Sequence, residues 1–135
     1  MTLRETSEDY IVTNHILNAE KCDKTFNEAL FDYIDNSNFT EIEVYRKANI
    51  NRRLFSKIRS NSEYHPSFGT ITALALALEL TTKEYEELLK CASYALPLNS
   101  YVNITLKYCF DNKLYNLSKV NRLIFAVSNK TLKEL

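Results

Sequence analysis

A cluster of basic side chains is the feature of this sequence best suited to chemistry. Between Val44 and Ser62 the chain carries six basic residues and no acidic one, although its formal net charge is +0. The six are Arg46, Lys47, Arg52, Arg53, Lys57 and Arg59. Guanidinium and ammonium groups at this density attract polyanions, above all the phosphates of nucleic acid. This basic segment, residues 44–62, therefore favours a nucleic-acid ligand.

Motifs of catalysis and metal binding are missing from the sequence. It has no Gly-rich phosphate loop, no H-E-x-x-H, no nucleophile elbow and no spaced set of cysteines and histidines. The residues concerned are His15, Cys22, His65, Cys91 and Cys109, which lie far apart. We expect no enzymatic activity, no metal and no cofactor. We also expect three reduced thiols that behave as small apolar residues, which fits a cytoplasmic protein.

Length and composition indicate one ordinary globular unit. The chain has 135 residues, of which 45% are hydrophobic and 25% charged, enough to bury a sizeable core. One glycine and two prolines argue against an all-β fold, because hairpins draw heavily on glycine. The longest mostly apolar run, residues 71–78, is too short for a membrane span, and the N-terminus lacks the apolar region of a signal peptide. We expect an all-α protein with no membrane association.

Apolar spacing predicts the helices that must position the basic segment. They cover about residues 24–35, 41–48, 52–60, 68–79 and 82–92, with two more after Pro97. Thr40 with Glu43 and Thr81 with Glu84 are capping boxes that start two of them. Asn49 occupies the turn between the second and third, and asparagine is the residue after glycine that best tolerates a left-handed turn. Asn51 can then cap the third helix.

Charge divides the chain unevenly. Residues 1–43 hold three basic and ten acidic residues, so the neutral total hides a dipolar molecule. The acidic region either competes with polyanions for the basic segment or is a solvated face that aids solubility. We divide the chain into an acidic arm or short helix at 1–22, a helix-turn-helix domain at 23–95, and a helical extension at 96–135. The extension either completes the core or forms a dimer interface.

Two stretches in the right order and spacing carry a family resemblance. They are EIEVYRKANINRRLFSKIR at residues 41–59 and PSFGTITALALALEL at residues 66–80. Over roughly residues 24–92 the chain resembles the Cro/C1-type (XRE-like) helix-turn-helix family. The resemblance implies a compact five-helix bundle, to which this chain adds a C-terminal pair of helices. Two positions depart from the family pattern: Tyr45 replaces a small residue, and Asn49 replaces the usual glycine of the turn.

The resemblance also implies roles for eight polar residues of the basic segment. The second helix of the pair enters the major groove of DNA, where arginine reads guanine through two parallel hydrogen bonds. The predicted base-reading residues are Arg52, Arg53, Ser56 and Lys57. The predicted phosphate contacts are Arg46, Lys47, Asn51 and Arg59. For each arginine the alternative is a solvated side chain or an ion pair with Glu41 or Glu43.

We therefore expect a sequence-specific protein that binds double-stranded DNA, such as a transcriptional regulator. Because one small domain reads few base pairs, we also expect a homodimer, formed through the C-terminal helices. The alternative is a non-catalytic protein-interaction or adaptor module that keeps the helical bundle. It would bind a protein through Tyr45, the tyrosine-rich C-terminal region and the acidic arm.

Overall fold

The computed structural model describes residues 8–14 and 23–135, and within these ranges the chain is all-helical, as predicted. Residues 8–14 form an exposed helix, α1; the rest of the predicted arm, 1–7 and 15–22, lies outside the described residues. The later helices are α2 (Phe26–Asp35), α3 (Glu41–Lys47), α4 (Arg52–Ser60), α5 (Phe68–Ala77), α6 (Thr82–Cys91), α7 (Tyr101–Asp111) and α8 (Leu117–Ser128), followed by a 3-10 helix at Leu132–Glu134. In the described ranges no helix has the length and apolar character needed to cross a bilayer.

Side-chain caps explain where these helices begin. Each helix from α2 to α8 starts after a Ser, Thr or Asn whose side-chain oxygen accepts a backbone N–H of the first turn. Such N–H groups have no partner within the helix, so each cap stabilises its start. Both predicted capping boxes are observed. At α3, the Thr40 backbone N–H donates to the Glu43 carboxylate at 3.1 Å and holds the pKa of that carboxyl below its usual value.

Four helices end in the same kind of turn, although glycine occupies none of them. The left-handed residues of these turns are Asn49, Glu79, Ser93 and Lys113, with φ between 55° and 65°. In each turn the left-handed residue donates its N–H to the carbonyl three residues back, and the next residue donates to the carbonyl five residues back. This is the Schellman pattern. The conformation predicted for Asn49 is therefore observed.

Helix α5 lies at the centre of the core. Eight of its ten residues are buried, because it packs against α3, α6, α8 and the 3-10 helix. Thr72 is polar and buried here, and its hydroxyl donates to the Phe68 carbonyl at 2.9 Å and lies 2.6 Å from the Tyr85 hydroxyl. Burial raises the pKa of Tyr85, whose ring stacks on Phe110 of α7 at 4.0 Å. Helices α7 and α8 thus share one core with the helices before them.

The cysteines differ from the expectation of three reduced thiols. Cys109 is a free, buried thiol whose pKa is raised by burial, as expected for a small apolar core residue. Cys91 is disulfide-bonded, so the prediction is wrong there. Cys22 lies outside the described residues. The expectation of a cytoplasmic location loses the support that it took from Cys91, because disulfides are rare in the reducing cytosol.

Candidate nucleic-acid interface

Helices α3 and α4 form a tight pair that is held together by apolar side chains from both helices. Val44 of α3 and its C-cap Ala48 are at most 3% exposed, as are Phe55 and Ile58 of α4. Tyr45, which stands where the Cro/C1-type pattern has a small residue, is half-buried, and its ring centroid lies 5.2 Å from that of Phe55. The tyrosine therefore fills space between the two helices instead of projecting from the pair.

The turn between α3 and α4 is fixed by three hydrogen bonds. The N–H of Asn49 donates to the Arg46 carbonyl at 3.0 Å, and that of Ile50 donates to the Tyr45 carbonyl at 2.9 Å. The side-chain oxygen of Asn51 then accepts the N–H of Leu54 at 2.7 Å and caps α4. The first turn of α4 is thus held at a defined position relative to α3. Asn51, predicted as a phosphate contact, already uses its side-chain oxygen as the cap.

The predicted base-reading residues all lie on one exposed face of α4. Arg52 and Arg53 occupy the first two helical positions, and Ser56 and Lys57 follow one turn later. This face is opposite the buried Phe55 and Ile58, as their helical spacing requires. Among the described residues, neither Arg52 nor Arg53 makes an ion pair or a side-chain hydrogen bond. The structure therefore brings these four residues together in one accessible surface, which we call the α4 face.

The predicted phosphate contacts separate into two kinds. Arg46 is exposed and has no ion pair within the described part of the chain. Lys47 lies 3.5 Å from a Glu79 carboxylate oxygen and 3.8 Å from the ring centroid of Phe39. Its ammonium group is thus partly neutralised and held against its own protein.

Arg59 is engaged within the helical bundle. It forms an ion pair with Glu41 at the start of α3, and its guanidinium lies 5.4 Å and 5.9 Å from the ring centroids of Phe31 and Phe55. Of the two roles that the sequence left open for Arg59, the ion pair with Glu41 is the one present. Both ends of the pair are partly exposed, so it contributes modestly to stability and mainly ties α4 to α2 and α3.

Lys57 and His65 mark the far edge of this surface. The Lys57 ammonium lies 5.3 Å from the ring centroid of Tyr64, a weak cation–π contact at an exposed site. His65 donates from Nε2 to the Ala92 carbonyl at 2.8 Å and stacks on Tyr94 with the ring centroids 5.1 Å apart. His65 therefore fastens the loop before α5 to the end of α6.

The charges of Arg52 and Arg53 oppose the electrostatics of their own helix. Backbone dipoles leave the first turn of a helix partly positive, so acidic residues are favoured there and cations are disfavoured. The first turn of α4 has no acidic residue, as in α5, α7 and α8, whereas the first turns of α2, α3 and α6 each have one or more. Helix α4 differs in carrying two arginines at its first two positions. Side chains that weaken local stability without a compensating contact are typical of functional positions.

A cleft beside this surface was missed by the sequence interpretation. It measures about 410 Å³ and lies between the α3–α4 turn, the first turn of α5, helix α8 and the C-terminal segment, residues 131–135. Lys133 is part of its lining. No local pattern could have revealed this, because Lys133 is about eighty positions from Asn51 in the sequence and only the tertiary fold brings them to one cleft.

Comparison of the chain with protein-family models, with curated proteins and with solved structures finds no match. The interpretation of the α4 face therefore rests on its own geometry and charge.

Proposed function

We propose that this protein is a sequence-specific DNA-binding protein, a transcriptional regulator, that reads the major groove with α4. The observation that carries the proposal is the pair Arg52 and Arg53. Both are exposed at the start of a helix, have no ion pair in the described part of the chain, and oppose the helix dipole. A guanidinium in such a position is available for the O6 and N7 atoms of guanine.

The local geometry of the pair supports major-groove binding. Helix α4 has nine residues and keeps its apolar side chains against the bundle, so one face is free over its whole length. In helix-turn-helix proteins the first residues of the second helix contact base edges and the first helix crosses the backbone. Arg46 on α3 is suited to a phosphate in that arrangement. This is also the placement that the sequence resemblance to Cro/C1-type proteins implies.

Salt dependence of binding tests the proposal directly. Four cations of the basic segment have no carboxylate partner in the described residues: Arg46, Arg52, Arg53 and Lys57. If all four displace counterions, the logarithm of the affinity falls with the logarithm of salt concentration at a slope of about −3.6 per protomer. The measurement is a titration of DNA selected by the protein from a random pool, at several salt concentrations. A slope near zero contradicts the proposal.

Dimer formation completes the proposal, because a single α4 covers too few base pairs for useful specificity. The outer face of α7 carries Tyr101, Ile104 and Tyr108 at helical spacing, exposed to 75%, 48% and 57%. Exposed apolar side chains that form one stripe are typical of a contact surface. We propose that this stripe, on the C-terminal pair of helices, meets its copy across a two-fold axis. Sedimentation should give a dimer, and Ile104→Glu a monomer.

The second candidate function is that of a protein-interaction module. In that case the α7 stripe would bind a partner protein. Tyr45, which that hypothesis assigned to partner binding, is half-buried and packs against Phe55, so part of its ring is already used within the protein. The two candidates differ at Arg52 and Arg53: their replacement by alanine should abolish specific DNA binding if the protein is a DNA reader. A protein-interaction module should instead show no DNA binding, and the two substitutions should leave its partner binding unchanged.

A further inference from the structure

The cleft beside the α3–α4 turn has a polar lining drawn from four parts of the chain. Asn49 and Asn51 come from the turn, Thr70 from α5, Asn121 from α8 and Lys133 from the C-terminal 3-10 helix. No aspartate or glutamate is among the residues that line it. The site thus combines a cation with amide and hydroxyl groups, which can all donate hydrogen bonds to an anion.

The C-terminal segment is fixed in place, so the position of Lys133 is defined. Leu132 is 2% exposed, and its backbone N–H donates to the Asn121 side chain at 2.9 Å. Its carbonyl packs so closely on α5 that a Cβ at Gly69 would lie 1.7 Å from the oxygen. The chain uses its single glycine at this contact. The next residue, Lys133, is therefore held at the cleft while its side chain stays exposed.

The charge of Lys133 adds to the cationic surface of α4. Asn51 and Leu54, from the cap and first turn of α4, line the same cleft as Lys133. Arg52 and Arg53 lie between Asn51 and Leu54 in the sequence. The neighbouring Glu134 carboxylate accepts the Thr131 hydroxyl at 3.4 Å and is not part of the lining. A phosphate that passes the start of α4 would thus lie near an ammonium group in a cleft that no aspartate or glutamate side chain lines.

We propose that Lys133 is a DNA-backbone contact, supplied by the C-terminal extension at the edge of the α4 face. This inference rests on the proposed function and extends it: the DNA-binding surface includes the C-terminal segment and is not confined to the helix pair. Because phosphate contacts carry no sequence information, Lys133 sets the affinity and register of the complex and not its base preference.

Three substitutions in the 135-residue chain test the proposal: Lys133→Ala, Lys133→Glu and Lys133→Arg. We expect Lys133→Ala to weaken binding about 3–10-fold for selected and random DNA alike, and to reduce the steepness of the salt dependence by about one unit. Lys133→Glu should weaken binding further, and Lys133→Arg should retain it. The matched control is Lys130→Ala, because Lys130 is exposed, lies three residues earlier and does not line the cleft. Thermal unfolding of each variant checks the fold.

The outcomes separate this inference from the proposed function. If the Arg52 and Arg53 variants lose DNA binding while Lys133→Glu binds as tightly as the parent, the Lys133 contact is refuted and the proposed function stands. The contact is also refuted if Lys130→Ala lowers affinity and salt dependence as much as Lys133→Ala, or if Lys133→Ala affects only one DNA sequence. If the parent protein binds no DNA at moderate or low salt, both proposals fall.

Discussion

Replacing Arg52 and Arg53 together by alanine should strengthen the fold and weaken DNA binding. The two side chains make no ion pair or hydrogen bond within the described residues, so their removal leaves no buried group without a partner. It does remove two positive charges from the positive end of α4. Stability and binding are therefore expected to change in opposite directions, which neither a structural nor a neutral role of these residues would produce.

The expected gain in stability follows from the helix dipole. A charge at an exposed helix terminus is worth about 0.3–1 kcal/mol at low ionic strength, so two unfavourable charges amount to about 1 kcal/mol. For a protein of this size that corresponds to a rise in Tm of about 3–4 °C. The gain should shrink as salt is added, because these exposed charges are screened.

The expected loss of binding is larger. Each arginine–guanine pair contributes about 1–3 kcal/mol of discrimination. Loss of two such contacts should therefore cost at least about 2 kcal/mol, or roughly 30-fold in affinity for the selected sequence. Fluorescence anisotropy with DNA selected by the parent protein measures this, beside thermal unfolding of the same samples. The effect on random DNA should be smaller, because only phosphate attraction is lost there.

Lys83→Ala provides a matched control for the dipole effect. Lys83 is exposed at the second position of α6, which is the position of Arg53 in α4. Its replacement should raise Tm slightly and leave DNA affinity unchanged. If the Arg52 and Arg53 variant loses stability together with binding, the two arginines serve the fold and our reasoning is refuted. If it keeps full affinity for selected DNA, α4 does not read bases.

Other substitutions test the packing that positions the α4 face, with urea unfolding as the measurement. Gly69→Ala should destabilise the protein by about 2–3 kcal/mol, because the new methyl group displaces the buried Leu132; an unchanged midpoint would contradict the close contact. Lys113→Gly should stabilise by about 0.5–1 kcal/mol, since glycine adopts this left-handed turn without strain, and Lys113→Ala should not. Thr72→Val should lower the free energy of unfolding by about 1–3 kcal/mol, because it leaves the buried Tyr85 hydroxyl without an acceptor. Tyr85→Phe should lower it less, and equal losses would count against that hydrogen bond.

Local features of the fold could be predicted from the sequence because a few neighbouring residues determine them. The capping boxes at Thr40 and Thr81 and the cap at Asn51 involve residues three positions apart, and all three are observed. The end of α5 was predicted two residues too late. Glu79 adopts the left-handed conformation, so the helix stops at Ala77, and nothing in the type of this residue indicates that conformation.

Contacts between distant parts of the chain could not be predicted in the same way. The sequence places Arg59 and Lys47 in the same basic segment as Arg52, yet the fold pairs Arg59 with Glu41 and Lys47 with Glu79. Lys133 joins the surface only because the C-terminal segment packs on α5. A count of charges along the sequence therefore overstates how many cations of the basic segment are available to a ligand. It also omits Lys133, which lies outside that segment.

Neither of the two departures from the Cro/C1-type pattern, at Asn49 and Tyr45, argues against DNA binding by α4. A left-handed Asn49 closes the turn with the same pair of hydrogen bonds that ends α5, α6 and α7, so the absence of glycine says little about function. Tyr45 packs inside the pair and equally leaves the α4 face unobstructed. A helical pair built in this way could still serve only as a packing unit. What argues against that role is the pair Arg52 and Arg53, which weaken the start of α4 and, within the described residues, make no ion pair or side-chain hydrogen bond that would offset this loss.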